Sequence, residues 1–258
     1  MLKFYKYMNA ETATFVIKDS TLKFSNPRNF NDPLDYYPTI PKTGFGKFVR
    51  RINNEIGKGK KPYKLNHANT QQHLVNLRSE QFREKYTSQM CISCFSKSPF
   101  ILPMWAHYAD NHKGVVIEFT YEETLEIRKE LIFSQPNKPI STLIPLEVIY
   151  SNNRPPLFDE YGKTNSETTG VNACLTKAKT WEYEQELRVV RMQPEGIYSF
   201  NRSQMSAVYF GLKINSEHKK ELSRLIDSSN NHTKTKIKKH DVEIAFDKFE
   251  LTKVSFRL

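Results

Sequence analysis

No stretch of this 258-residue chain approaches the roughly 20 consecutive apolar residues that a membrane-spanning helix needs. The opening MLKFYKYMNAETATF has no charged segment leading into an apolar one, so no export signal is expected. Both absences point to a cytoplasmic protein with no membrane partner. Cysteine is scarce too. Cys91, Cys94 and Cys174 are too few for a disulfide framework and fit a reducing compartment. Cys91 and Cys94 form a CxxC, but within MCISCF, an apolar run that reads as a strand and sends the two thiols to opposite faces. With no second CxxC and no HxxxH, a zinc site lacks its remaining ligands, and small hydrophobes in a core strand are the simpler reading. Gly44 with Gly46, and Gly57 with Gly59, lack the strand–turn–helix setting of a phosphate-cradling loop. No spacing supports a Ser-His-Asp or Cys-His nucleophile, and no metal site is expected.

What the chain does have is positive charge, +11 in total. One source is GKFVRRINNEIGKGKKPYK (46–64), with seven basic residues against one acid, and another is the C-terminal third with HTKTKIKKH. Such a surface attracts polyanions through counterion release, so a nucleic acid or a phosphorylated small molecule is an expected partner, beside the plain alternative of a solvated, solubilising face.

Periodicity predicts an α+β fold in a single domain spanning 1–258. LKFYKY reads as a strand, followed by a helix capped by Asn9 and running to about Lys18, with Phe15 and Val16 inward. TLKFS is a second strand, and NPRNFNDPLDYYP (26–38) a locally specified turn region. Helices over about 44–57 and 67–87 make residues 40–88 a basic helical insertion. SQMCISCF is a strand; Ser98 and Pro99 open a helix through about His112, stopped by Gly114. VVIEF is a strand, YEETLEIRKEL a helix, LIPLEVIY a strand, WEYEQELRVVRM one long strand and AVYFGL another. Residues 213–258 hold a helix capped by Asn215 or Ser216 and a closing β-hairpin. The central sheet is expected to be mixed or mainly antiparallel.

Three places could carry chemistry. Along WEYEQELRVVR a strand aligns Glu184, Glu186 and Arg188 on one face, which needs either a wet surface with ion pairs or a cleft. Lys177 and Trp181 flank it. In FNDPLDY, Asn31 and Asp32 either form turns on their own backbone or project into that cleft beside the glutamates, as Asp35 could. In MWAHYADNH, helical spacing makes Met104, Trp105 and Tyr108 a packing stripe, with His107 on another side.

The ordered series FYKY, LKFSNPRNFNDPLD, CFS, MWAHYADNHKGVVIEF, KAKTWEYEQELR and VYFGL resembles the bacterial family called domain of unknown function 2971, over residues 4–212. Asn31, Asp32, Pro33, Trp105, His107, Tyr108, Gly114, Lys177, Trp181, Glu184, Glu186 and Arg188 match its motif positions, whereas Asp35 stands where a glutamate is more usual. The basic insert and the tail beyond Leu212 lie outside it. A fainter similarity links the order of elements to ADP-ribosyltransferase-type toxins. That similarity implies a nucleotide substrate, NAD being the leading one, cleaved at its glycosidic bond. Glu186 would be the carboxylate, with Glu184, His107, Tyr108 and Asp32 as further catalytic candidates. Tyr108, Tyr5 or Tyr7 would hold the base, and Asn31, Lys177, Arg188, Tyr7, Trp105 and Trp181 are substrate-contact candidates. The resulting expectation is an intracellular, toxin-like effector enzyme, with phage defence as a setting. Two alternatives stand beside it: a magnesium-dependent nuclease, and a catalytically inert module that binds nucleic acid or protein.

Overall fold

The computed structural model describes residues 1–41, 43–55, 87–124, 141–163 and 173–254, with Gln72, Val75, Gln81 and Glu84. Two expected helices, 67–87 for the most part and 121–131 from residue 125 on, lie outside the described residues.

Strand β1 (Leu2–Met8) alternates as its sequence requires, with Phe4 and Met8 in one buried cluster and Tyr5 and Tyr7 in another. Helix α1 (Ala10–Asp19) begins where Asn9 accepts the Thr12 amide at 2.7 Å. It buries Ala10, Ala13, Val16 and Ile17, a stripe at helical spacing. Phe15 falls on the opposite side and is 56% exposed, against the expectation that it points inward. Strand β2 (Thr21–Phe24) follows, then a 3-10 turn, Pro27–Asn29, opened by the Asn26 side chain.

The remaining elements are α2 (Phe45–Glu55), β3 (Cys91–Ser96), α3 (Leu102–Tyr108), β4 (Val115–Tyr121), β5 (Leu146–Glu147), β6 (Ile149–Ser151) and β7 (Thr176–Ala178). After them come β8 (Glu186–Arg191), β9 (Gly196–Ser199), β10 (Met205–Phe210), α4 (Ser216–His232), β11 (Lys238–Ile244) and β12 (Leu251–Lys253). Eight strands form the main sheet in the order β12-β11-β10-β4-β1-β3-β8-β5, antiparallel throughout except for the β10–β11 pair. The fold is α+β around a mainly antiparallel sheet. Helices α1 and α4 cover one face, where Phe4, Phe95, Phe119 and Phe200 interlock, with Phe4 and Phe95 centroids 4.9 Å apart. Helix α3 lies on the other face, with Trp105 fully buried against Tyr7.

The pairing inside the sheet is uneven at β1. This strand pairs with β4 along seven positions but meets β3 at a single one, Tyr5 with Ser96. Beyond that point β1 and β3 part.

Several elements depart from the sequence reading. The helix expected from Ser98 begins at Leu102, with Pro103 in its first turn, and ends at Tyr108. Asp110, Asn111 and His112 all take left-handed backbone conformations, which end the helix before Gly114. Gly114 is required for a different reason: a Cβ there would sit 2.2 Å from the Met8 carbonyl oxygen. The stretch 143–150 holds two short strands rather than one. Residues 181–192 are not one strand either: Lys179–Glu184 is a 3-10 helix, and Gln185, at φ 47°, turns the chain into β8. The basic helix α2 is docked rather than dangling, with Phe45, Phe48 and Val49 packed on Leu157 and Phe158. Gly162 sits at φ +68°, where a Cβ would meet the Phe48 amide nitrogen at 2.1 Å.

Candidate active site

Where β1 and β3 part, a cleft of about 780 Å³, counting the space at its mouth, opens between them and is lined by residues from both faces of the sheet. Its rim and walls come from the turn region (Asn29, Phe30, Asn31, Asp32, Asp35), β1 (Tyr5, Lys6, Tyr7), β3 (Cys94, Phe95), α3 (Met104, Tyr108) and the 177–186 segment (Lys177, Trp181, Glu184, Glu186).

The floor is a charged network built around Arg188. Its five N–H groups are all engaged. Nε donates to Glu186 Oε1 at 2.7 Å; Nη1 donates to Asp35 Oδ1 at 2.9 Å and to the Cys174 carbonyl at 2.5 Å. Nη2 donates to Asp35 Oδ2 at 2.5 Å and to Glu186 Oε2 at 3.3 Å. Arg188 is fully buried behind the cleft wall and has no donor left for a ligand. It organises carboxylates rather than contacting substrate, which corrects its place among the substrate-contact candidates. Asp35, the acid that departs from the usual glutamate, is the bidentate partner of that guanidinium.

Lys177 joins the two glutamates. Its Nζ donates to Glu184 Oε2 at 2.5 Å and to Glu186 Oε2 at 2.7 Å, and lies 5.1 Å from the centre of the Trp181 ring. The left-handed Gln185 lets neighbours two residues apart converge on one ammonium although only Glu186 belongs to a strand. Ser96 Oγ secures this turn by donating to the Glu184 carbonyl at 2.7 Å. The sequence reading required a wet face for these charges; instead Glu184, Glu186 and Arg188 are buried, with Lys177 and Arg188 paired to the carboxylates.

At the rim, the Tyr108 hydroxyl donates to Glu184 Oε1 at 2.8 Å and takes a side-chain hydrogen bond from Asn31. The polar chain thus runs from Asn31 through Tyr108, Glu184, Lys177, Glu186 and Arg188 to Asp35, back in the loop where it started. Asp32 closes its own Asx turn, accepting the Leu34 amide at 2.8 Å, and also lines the cleft.

Burial alone would raise the Glu186 carboxyl, but the adjacent Arg188 and Lys177 outweigh it and hold it down at about 2. Burial likewise works against the Lys177 ammonium, and Glu186 and Glu184 hold it well above the usual lysine range. Lys6 is the opposite case: burial pulls its ammonium below the usual range, only partly offset by Cys94 and Glu186. Burial, then Glu184, raises the Tyr108 phenol, so it stays a hydrogen-bond donor at neutral pH.

Eight of the eleven site residues expected from sequence line this one cleft: Glu186, Glu184, Tyr108, Asp32, Asn31, Lys177, Tyr7 and Trp181. Tyr7 offers only its ring, because its hydroxyl donates to the Ser98 carbonyl and accepts the Ile101 amide. Three do not line it. His107 is exposed on α3, outside the cleft lining. Trp105 is core, its Nε1 donating to the Pro99 carbonyl at 2.8 Å. Arg188 lies behind the wall. Sequence reasoning missed Lys6, Phe30, Cys94 and Phe95. For Lys6 a signal existed, because strand parity puts it on the same side as Phe4 and Met8, where a lysine has no ordinary reason to be. Among the described residues no group of three His, Cys, Asp or Glu side chains is placed to hold a metal ion, and no helix is long and apolar enough to cross a membrane.

No curated protein and no solved structure matches the chain. Residues 104–189 match the family described as Protein of unknown function (DUF2971). That segment runs from α3 into β8 and includes Tyr108, Lys177, Trp181, Glu184, Glu186 and Arg188, while the NDP turn lies before it. Over this segment the chain is similar to the DUF2971 family.

Proposed function

We propose that the cleft is the active site of an enzyme that cleaves the glycosidic bond of a nucleotide, with NAD the favoured substrate. One observation carries the reading: an aromatic-walled cleft whose floor holds more carboxylates than cations. With the cleft lining included, Asp32, Asp35, Glu184 and Glu186 are formally four negative charges against Lys6, Lys177 and Arg188. A ligand that brings positive charge or hydroxyl donors is favoured there, and one that brings only phosphate is not.

The nicotinamide–ribose half of NAD meets both demands. Its ring is cationic and planar, and Tyr108, Phe30 and Trp181 offer faces for it. When the C1–N bond breaks, its electron pair leaves with nicotinamide and positive charge develops on the sugar. The ionised Glu186, fixed by Arg188 and Lys177, supplies a negative field to that charge without having to reorganise. Glu184 is the carboxylate with an exchangeable partner. Its Oε1 faces the Tyr108 hydroxyl at the rim, so a ribose hydroxyl can take that place. The contact expected of Glu186 therefore passes to Glu184, and Glu186 acts from behind it. Water, or another acceptor, completes the reaction at C1. The overall charge of +11 steers an anionic nucleotide toward this locally acidic cleft.

The test is direct. Purified protein is incubated with NAD, and separately with RNA and DNA, with and without magnesium. Release of free nicotinamide supports the proposal. Unchanged NAD with metal-dependent cleavage of nucleic acid overturns it, and salt-sensitive nucleic-acid binding without turnover favours an inert module instead.

A further inference from the structure

Lys6 is a cleft-lining amine that the reaction above does not use. Its ammonium has three N–H donors. Among the described residues it donates to one carbonyl, Cys94 O at 2.8 Å, and lies over the face of Phe95, whose ring centre is 4.9 Å away. Among the described residues no carboxylate forms an ion pair with it, whereas Lys177, in the same cleft, has two. Lys6 stands where β1 and β3 part, so its bond to Cys94 spans strands that no longer share backbone pairing. Cys94 on β3 and Glu186 on β8 act on it most directly, Tyr5 and Tyr7 flank it on β1, and Asp32, Asp35, Tyr108, Lys177 and Glu184 line the same cleft. Burial raises the Cys94 thiol well above its usual range, so Glu186 is the anion that most opposes loss of the Lys6 proton. Burial outweighs it, so the Lys6 ammonium gives up its proton more readily than that of an exposed lysine.

We propose that Lys6 is a carbonyl-capturing amine, condensing through Nζ with the aldehyde or ketone group of a ligand bound in the cleft. The nitrogen lone pair attacks the carbonyl carbon, and the C=O π pair moves to oxygen. One amine proton passes to that oxygen and a proton from solvent follows. Water then leaves, the nitrogen pair forms the C=N bond, and the iminium returns its remaining proton to solvent. The sum is amine plus carbonyl giving imine plus water, with no change of oxidation state. The carbonyl has two sources: the ring-opened form of a sugar released by glycosidic cleavage, or a free small aldehyde. The capture chemistry does not depend on the glycosidic reading.

The experiment uses the wild-type full chain at pH 7 with cyanoborohydride, which reduces an imine to a stable secondary amine. Propionaldehyde is the probe in one arm and D-ribose in the other, and peptide mass spectrometry locates the adducts. Lys6 is expected to be alkylated at least about tenfold faster than exposed lysines such as Lys18, and Lys177 to stay unmodified. Adducts at Lys6 in both arms assign the capture to sugars as well as aldehydes; adducts with propionaldehyde alone assign it to small aldehydes. Labelling of Lys6 no faster than that of surface lysines, in both arms, overturns the proposal. Neither probe requires NAD turnover, so a failure here is distinct from a failure of the NAD assay.

Discussion

Lys177 and Lys6 both line one cleft, and the chain has given them opposite surroundings. Lys177 receives two carboxylates within 2.7 Å and an aromatic face, and its charge is held. Lys6 receives one backbone carbonyl and a phenyl ring, and its charge is disfavoured. The same side chain therefore serves two ends. Lys177 is part of the electrostatic frame that fixes Glu184 and Glu186. Lys6, at the point where β1 and β3 part, holds its proton less firmly than an exposed lysine. Burial alone does not decide what a cleft-lining lysine does; its carboxylate partners do.

That contrast can be broken by substitution. Lys177→Met leaves Glu184 and Glu186 buried beside one another with only Arg188 to offset them, and about 3–5 kcal/mol of stability should be lost in urea unfolding. Equal stability to wild type would mean that the network is not the frame described. Acid comes next. The Glu186 carboxyl lies at about 2 against an ordinary 4.5, so its contribution is fully present above pH 4.5 and fades as pH falls toward 2. A shift of that size is on the order of 3 kcal/mol, and the melting temperature followed down this window should fall more steeply in wild type than in Glu186→Gln. Parallel profiles would count against it. Lys6→Met sits at the small end. It removes one hydrogen bond to Cys94 O, and the apolar replacement suits the Phe95 face, so the change should stay within about 1 kcal/mol. A loss as large as that for Lys177→Met would make Lys6 a structural bridge.

The sheet was largely legible from sequence because β1, β4 and β10 are buried strands with strong apolar patterns, and α1 and α4 carry asparagine caps. The cleft was legible in its parts. The NDP turn, the Tyr108 helix and the Glu184–Glu186 segment do converge, because each carries polar residues that only a shared interior network satisfies. What was hidden is tertiary. Residues 181–185 read as strand by alternation, but two carboxylates drawn to one ammonium and a carbonyl drawn to Ser96 favour a 3-10 turn. The all-engaged geometry of Arg188 depends on Asp35, 153 positions away, which no local pattern shows. Trp105 and His107 sit in the same motif as Tyr108, yet helical geometry sends one to the core and one to solvent.

Glu184, which meets the rim through Tyr108, is proposed to handle the sugar of a nucleotide during glycosidic cleavage. The most direct measurement is the rate of nicotinamide release from NAD by wild type and by Glu184→Gln, with thermal unfolding of both as the control for folding. A loss of about 10²-fold or more in the rate is expected for a variant that still unfolds cooperatively. A folded Glu184→Gln variant that releases nicotinamide at the wild-type rate would contradict it.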